Sequence, residues 1–415
     1  MTSLARKNKF YCRISGGELT PVVDFGMQPL GNGFLAPEHI SHEYFYPMEV
    51  GFNEKSMMFQ LLEQPSPEKM FHENYAFYSS TSKFMEAHFA EFADQVINSQ
   101  YIEKESPFIV ELGCNDGIML KHFAKKNINH LGIEPSLNVA AVANSNGVKT
   151  ISKFFTEELA KEIVDSNGQA DAFLAANVMC HIPNILDVAR GIQTLLKSKG
   201  VVIFEDPYLG DVVEKVSYDQ IYDEHVFLFS AHSIQYLFEQ VGMELIDVQP
   251  QKTHGGSMRY VLANKNVYPI SESVQRILEK EKKLGLNLMA TFHEFSKNIK
   301  KSREQLVELL RNLKREGKRI IGYGATSKST TVLNYCGIGP DTIEFISDTT
   351  PIKQGKLTPG MHIPVKSYQE FLLNPPDYAL LFAWNHAEEI MAKEGEYTKN
   401  GGQWVVHVPN VHVIK

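Results

Sequence analysis

The rhythm of apolar and polar positions changes several times along the chain, and each change marks a different structural unit. From residue 1 to about residue 67, short strand-like runs are broken by Gly16-Gly17, Pro29, Gly31, Pro37, Pro47 and Gly51. Gly frees the backbone and Pro fixes it, so this stretch predicts a small loop-rich module. Near Ser82 the pattern turns helical, and through residues 86–96 apolar positions recur at spacings of three and four. Short apolar runs at 108–112, 130–133, 172–174 and 201–204 then read as strands, with helices at 118–123 and 185–198. Strands alternating with helices in this way predict a mostly parallel sheet covered on both faces.

Residues 271–318 are rich in Lys, Glu, Leu and Gln at helical spacing, which predicts one or two long connecting helices. Their cations, among them Lys297, Arg303 and Arg311, read as a solvated face. After Gly317 a second βα pattern follows, with strands at 319–323, 342–346, 378–382 and 404–407. The expected class is therefore α/β, in four parts. A small module (1–67) precedes a main Rossmann-like domain (68–268), a helical connector (269–317) and a C-terminal Rossmann-like domain (318–415).

Charge and composition narrow the partners. The 415 residues carry a net charge of −8, so nothing points to a nucleic-acid surface. A small anionic ligand stays compatible, because local backbone N–H groups and a few cations suffice for phosphate. The apolar runs are too short to cross a bilayer, and the first nine residues lack the apolar stretch of a secretory signal. Cys12, Cys114, Cys180 and Cys336 are scattered and suggest no disulfide framework. A cytoplasmic protein without membrane or nucleic-acid partners is expected.

The most chemical segment is residues 108–117, a strand ending in a Gly-x-x-x-Gly turn, Gly113-Cys-Asn-Asp-Gly117. Glycines there allow a tight turn and a ligand close to the backbone, while the next helix aims its N-terminus at that ligand. Glu134 follows the next strand, where a carboxylate can take both hydroxyls of a ribose. Together they predict an adenosine site. A dinucleotide site would ask for Gly-x-Gly-x-x-Gly; the acidic Asp116 in the turn disfavours a diphosphate and suits the amino group of a methionine tail. S-adenosylmethionine (SAM) is thus favoured over NAD.

Further motifs lie in order along nearly the whole chain: residues 25–34 and 75–82, Glu111–Gly117, Gly132-Ile-Glu-Pro135 and Asn177-Val-Met-Cys-His181. They continue with Tyr222-Asp-Glu-His225, His254-Gly-Gly-Ser-Met-Arg259, Gly322-Tyr-Gly-Ala325, Lys353-Gln-Gly355 and Trp384-Asn385. In these the chain resembles the SAM-dependent sugar C-methyltransferases, which methylate a carbon of a nucleotide-linked keto-sugar. The resemblance implies a class I SAM-binding domain holding the cofactor through Gly113, Asn115, Asp116, Gly117, Glu134 and Asn177. It also implies a 4-keto-6-deoxy sugar on a nucleoside diphosphate, dTDP by expectation, methylated beside the ketone at C3. Such a carbon needs one base and one enolate stabiliser. His225 is the expected base, since histidine titrates near neutrality. His181, Tyr222, Glu224 and an N-terminal tyrosine, Tyr75 in preference to Tyr78, position the sugar or stabilise the enolate. Arg259, Tyr323, Gly324, Lys328 and Lys353 are the expected substrate-binding set around the diphosphate.

Two departures from that family stand out. Where it carries four zinc-binding cysteines near the N-terminus, this chain has Cys12, Ser15, Asn53 and Ser56, so no metal is expected. The C-terminal turn reads Ala325-Thr-Ser-Lys328 in place of Ala-Pro-Ala-Lys. Two rival readings are an NAD-dependent oxidoreductase using both Rossmann-like units and a non-catalytic nucleotide-sugar binder.

Overall fold

The computed structural model describes residues 9–66, 70, 83–103 and 105–415. Among them the strands form sheets of four, seven and six. The N-terminal strands β1 (Thr20–Pro29), β2 (Phe45–Asn53) and β3 (Met58–Leu61) make an antiparallel meander. Its inner face is apolar, and Phe52 and Phe59 pack on Phe292 with ring centroids 4.2 and 5.4 Å apart. Burying each of these rings stabilises the fold by about 2 kcal/mol. Phe292 belongs to the connector, which is two helices, Glu272–Leu284 and Met289–Arg315. The first of them stops at Gly285, whose φ of +70° is the left-handed turn that glycine adopts cheaply. The N-terminal sheet is therefore seated on the connector.

The main sheet contains β4 (Phe108–Leu112), β5 (Asn129–Ile133), β6 (Thr150–Ile151), β7 (Ala170–Ala176) and β8 (Leu196–Pro207). After β9 (Phe227–Leu228) it is completed by β10 (Met243–Gln251) and β11 (Ser257–Asn264). The order is β10-β11-β8-β7-β4-β5-β6, parallel from β8 to β6 and antiparallel at β11. β4 and most of β7 are buried throughout, as parallel strands covered by helices must be. The chain leaves β4 towards β5 and β6, then returns on the other side as β7. A crevice opens at that reversal, beyond the carboxyl ends of the strands. β9 instead joins the N-terminal sheet, pairing Phe227 and Leu228 with Gln60 and Phe59.

The third sheet comprises β12 (Ile320–Tyr323), β13 (Ile346–Asp348), β14 (Val365–Ser367), β15 (Tyr378–Leu381), β16 (Gln403–Val406) and β17 (His412–Ile414). Its order, β14-β13-β12-β15-β16-β17, is parallel except at β17. Both larger units are thus α/β and Rossmann-like, as the alternation predicts. The helix expected at 185–198 ends at Leu195, because β8 begins at Leu196. No helix among the described residues is long and apolar enough to cross a membrane.

Candidate active site

A cavity of about 390 Å³ lies at the strand reversal, walled by parts of all three sheet-bearing units. On the first wall, Gly113 ends β4 with φ +66°, and a Cβ there would meet Val178 Cγ2 at 2.3 Å. Glu134 follows β5, and its two oxygens accept N–H groups from Asn115 (3.1 Å) and Ser136 (2.9 Å). Burial raises the Glu134 carboxyl, although these backbone donors oppose the shift. Asn115 and Asn177 hold φ values of +49° and +55°, a conformation that asparagine tolerates better than most residues. Gly113, Asn115, Glu134 and Asn177 all face the cavity, with Phe89, Phe154 and Phe155 supplying apolar surface beside them. Gly117 and Asp116 do not line it. Gly117 turns the chain against Val148 and Ala143, and the Asp116 carbonyl accepts from Asn146 at 3.5 Å.

The second wall is the segment between the 3-10 turn Tyr218–Gln220 and β9. The turn closes His225 N–H onto the Tyr222 carbonyl at 3.0 Å, which brings side chains together that an extended strand would separate. His225 Nδ1 lies 2.7 Å from the Gln220 carbonyl, so that nitrogen carries the proton. Nε2 is consequently the acceptor, and the Tyr222 hydroxyl donates to it at 2.8 Å. His181 stacks on His225 with centroids 5.2 Å apart. Desolvation pushes His181 down to about 4, and burial with the neighbouring His181 holds His225 well below the ordinary histidine value. Both are neutral imidazoles at pH 7. Glu224 accepts from Asn32 Nδ2 at 2.6 Å, and burial beside Glu224 raises Asp223 to about 8. Tyr75 and Tyr78 lie outside the described residues.

The third wall comes from the C-terminal unit. Lys328 sits in the first turn of the helix Ser327–Cys336, 3.4 Å from the His254 carbonyl, and Lys353 reaches the Ala325 carbonyl at 2.8 Å. Burial lowers both ammonium groups. Three members of the expected substrate-binding set are placed elsewhere. Arg259 pairs across strands with Glu205, donating to Oε2 from Nε (2.9 Å) and Nη2 (2.6 Å), and lies 3.7 Å over the Phe92 ring. A buried guanidinium so engaged is not available to a phosphate. The Tyr323 hydroxyl donates to Glu394 at 2.8 Å inside the C-terminal core, and Gly324 forms a tight turn against Ala383.

Pattern reading gave no cavity role to several polar wall residues, among them Asn32, His254 and His386. Asn32 sits within the motif at 25–34, so its position was marked although its role was not. His254 and His386 lie in short turns separated by more than a hundred residues, and only the fold brings them near each other.

The positions expected to differ at the N-terminus converge on a hydrogen-bonded cluster. Asn53 Oδ1 accepts from Ser15 Oγ (3.0 Å), Ser56 N (3.0 Å) and Ser56 Oγ (2.9 Å), while Asn53 Nδ2 donates to the Glu18 carbonyl at 2.9 Å. Cys12 Sγ lies 3.2 Å from Ser56 Oγ. One thiol with two hydroxyls and an amide is the wrong donor set for structural zinc, so these residues do not fit that ion.

Three family models match the chain in order: "Putative zinc binding domain" over residues 12–71, "Methyltransferase domain" over 83–248, and "C-methyltransferase C-terminal domain" over 252–409. C-methyltransferase NovU of Streptomyces niveus is 33% identical over 406 residues, covering 97% of this chain and 96% of its own. A ubiquinone biosynthesis O-methyltransferase of Acinetobacter baylyi is 33% identical over 102 residues, 23% of this chain and 42% of that one. Among solved structures, a SAM-dependent methyltransferase of Anabaena variabilis aligns over 43% of this chain and 86% of its own at 16% identity, with a TM-score of 0.36.

Proposed function

The chain belongs to the SAM-dependent sugar C-methyltransferase family, and we propose that it methylates the carbon beside the ketone, C3, of a 4-keto-6-deoxy sugar carried on dTDP. The observation that carries this reading is one cavity joining the Gly113/Glu134 turn, the His225–Tyr222 pair and two half-buried lysines.

The cofactor wall fits SAM. The space that a Cβ of Gly113 would fill lets a ligand approach the backbone, and Glu134 marks the ribose end. Asn115 and Asn177 complete that wall, and the phenylalanines beside them shield it from water. Bound SAM supplies a methyl group on a sulfonium centre, open to in-line attack by carbon.

The residues of this chain make that carbon nucleophilic. His225 Nε2 takes the proton from the carbon adjacent to the ketone, and the Gln220 carbonyl holds the Nδ1–H of the imidazolium formed. The Tyr222 hydroxyl, which rests on Nε2, turns to the ketone oxygen and donates to the developing enolate. His181 and Glu224 position the sugar, and Lys328 and Lys353 meet the diphosphate, with the N-terminus of the helix Ser327–Cys336 behind Lys328. The work is done in the cytoplasm, where nucleotide sugars are made.

The test is His225→Ala. SAM binding measured by calorimetry stays intact, while turnover on 4-keto-6-deoxy nucleotide sugars falls roughly 10²–10⁴-fold, the usual worth of a general base. Near-normal turnover in that variant moves the base to His181 or Glu224.

A further inference from the structure

Residues 30–33 of the N-terminal module pass between the catalytic segment and the C-terminal unit, and they touch both. Gly31 N donates to Asp223 Oδ1 at 2.8 Å, and Thr330 Oγ1 donates to the Gly31 carbonyl at 2.9 Å. The fit is close: a Cβ on Gly31 would lie 2.8 Å from Asp223 Oδ1 and 3.1 Å from Ser327 Cβ. The next residue, Asn32, faces the cavity and donates from Nδ2 to Glu224 Oε1 at 2.6 Å, across 192 positions of sequence. Glu224 is buried next to a second buried carboxyl, Asp223.

We infer that Asn32 is a positioning residue: through its hydrogen bond to Glu224 it fixes the orientation of that carboxylate in the sugar site. The N-terminal module thereby contributes directly to the geometry of the reaction. The inference rests on the proposed role of Glu224. It adds that the role depends on a residue from another domain. An amide suits the task better than a cation, because it donates to the carboxylate without cancelling its charge. Raising the pH does not detach it either, since a carboxamide does not titrate. Among the described residues, the ionisable groups near Glu224 include its chain neighbours Asp223 and His225, the Cys180 thiol and Lys353, and of these Lys353 brings positive charge.

The experiment is a double-mutant cycle of Asn32→Ala and Glu224→Gln, read as kcat and KM for the sugar. Asn32→Ala lowers kcat roughly ten- to hundredfold, the worth of one hydrogen bond to a charged group. SAM affinity is unchanged, and Asn32→Ser, which keeps a donor, restores part of kcat. The double variant is no slower than Glu224→Gln alone. Additive losses, or a wild-type kcat in Asn32→Ala, overturn the inference. If Glu224→Gln keeps full activity, the role proposed for Glu224 fails; the same four proteins then give the Asn32–Glu224 coupling from thermal unfolding, without substrate. Zero coupling there overturns the Asn32 assignment as well.

Discussion

Asp206, near the end of β8, accepts the Cys180 N–H at 3.1 Å, and burial raises its carboxyl from 3.8 to about 8. A raised folded-state value favours the protonated fold. Its stabilising contribution is complete below the unfolded value near 4 and is lost as pH rises through about 8. Asp223 acts in the same sense. His181 and His254, depressed to about 4 and about 3, act in the opposite sense: their contribution is present above the ordinary value of 6.5 and fades as pH falls through those values. The thermal midpoint of the protein should therefore fall between about pH 6 and pH 9, and Asp206→Asn should flatten that fall because an amide cannot ionise. Equal slopes in the two proteins would contradict the assignment. At this scale the sequence was informative unevenly. The Tyr222–His225 cluster was readable because its members are four neighbours in sequence. Arg259 was not, because its partner Glu205 lies on the adjoining strand and only strand pairing reveals that the guanidinium is engaged.

At the scale of elements, the turn after β4 is the most demanding. Gly113→Ala places a methyl group 2.3 Å from Val178 Cγ2 at a positive φ, so either the turn or the Val178 segment must shift. SAM affinity should fall roughly five- to hundredfold, since a strained turn of this kind costs on the order of 1–3 kcal/mol. Calorimetry checks it, and unchanged affinity would show that the turn does not form the cofactor wall. Strands β4, β5, β7 and β8 were legible as apolar runs, because a parallel strand buried on both faces has little room for polar residues. β10 and β11 were less so. Their runs, Met243–Gln251 and Ser257–Asn264, mix polar and apolar residues, and a bulge between Leu245 and Asp247 breaks the alternation. The two-residue β9 is too short for any pattern, yet it ties the Tyr222–His225 segment to the N-terminal sheet.

Among the described residues, all three sheet-bearing units contribute to the cavity of about 390 Å³, and the N-terminal unit packs on the connector and carries the Asn53 cluster. Elemental analysis should find no stoichiometric zinc, and a chelator should leave the unfolding midpoint unchanged, whereas Asn53→Ala should lower it by the loss of buried hydrogen bonds, about 1–3 kcal/mol. One tightly held zinc per chain would contradict this. The multi-part organisation was visible in sequence from its changes of rhythm. The meeting of His225, Glu134 and Lys328 at one cavity was not, because periodicity carries no information on how separate sheets face each other. The central claim is carbon methylation of a keto-sugar, and one measurement tests it most directly. The enzyme is incubated with SAM carrying a ¹³C-labelled methyl group and with dTDP-linked 4-keto-6-deoxy sugar, and the product is read by NMR. The account predicts a labelled methyl bonded to the ring carbon beside the ketone, formed by the wild type and lost in His225→Ala. A labelled methyl on oxygen, or no transfer from a protein that binds SAM across a panel of such sugars, would contradict it.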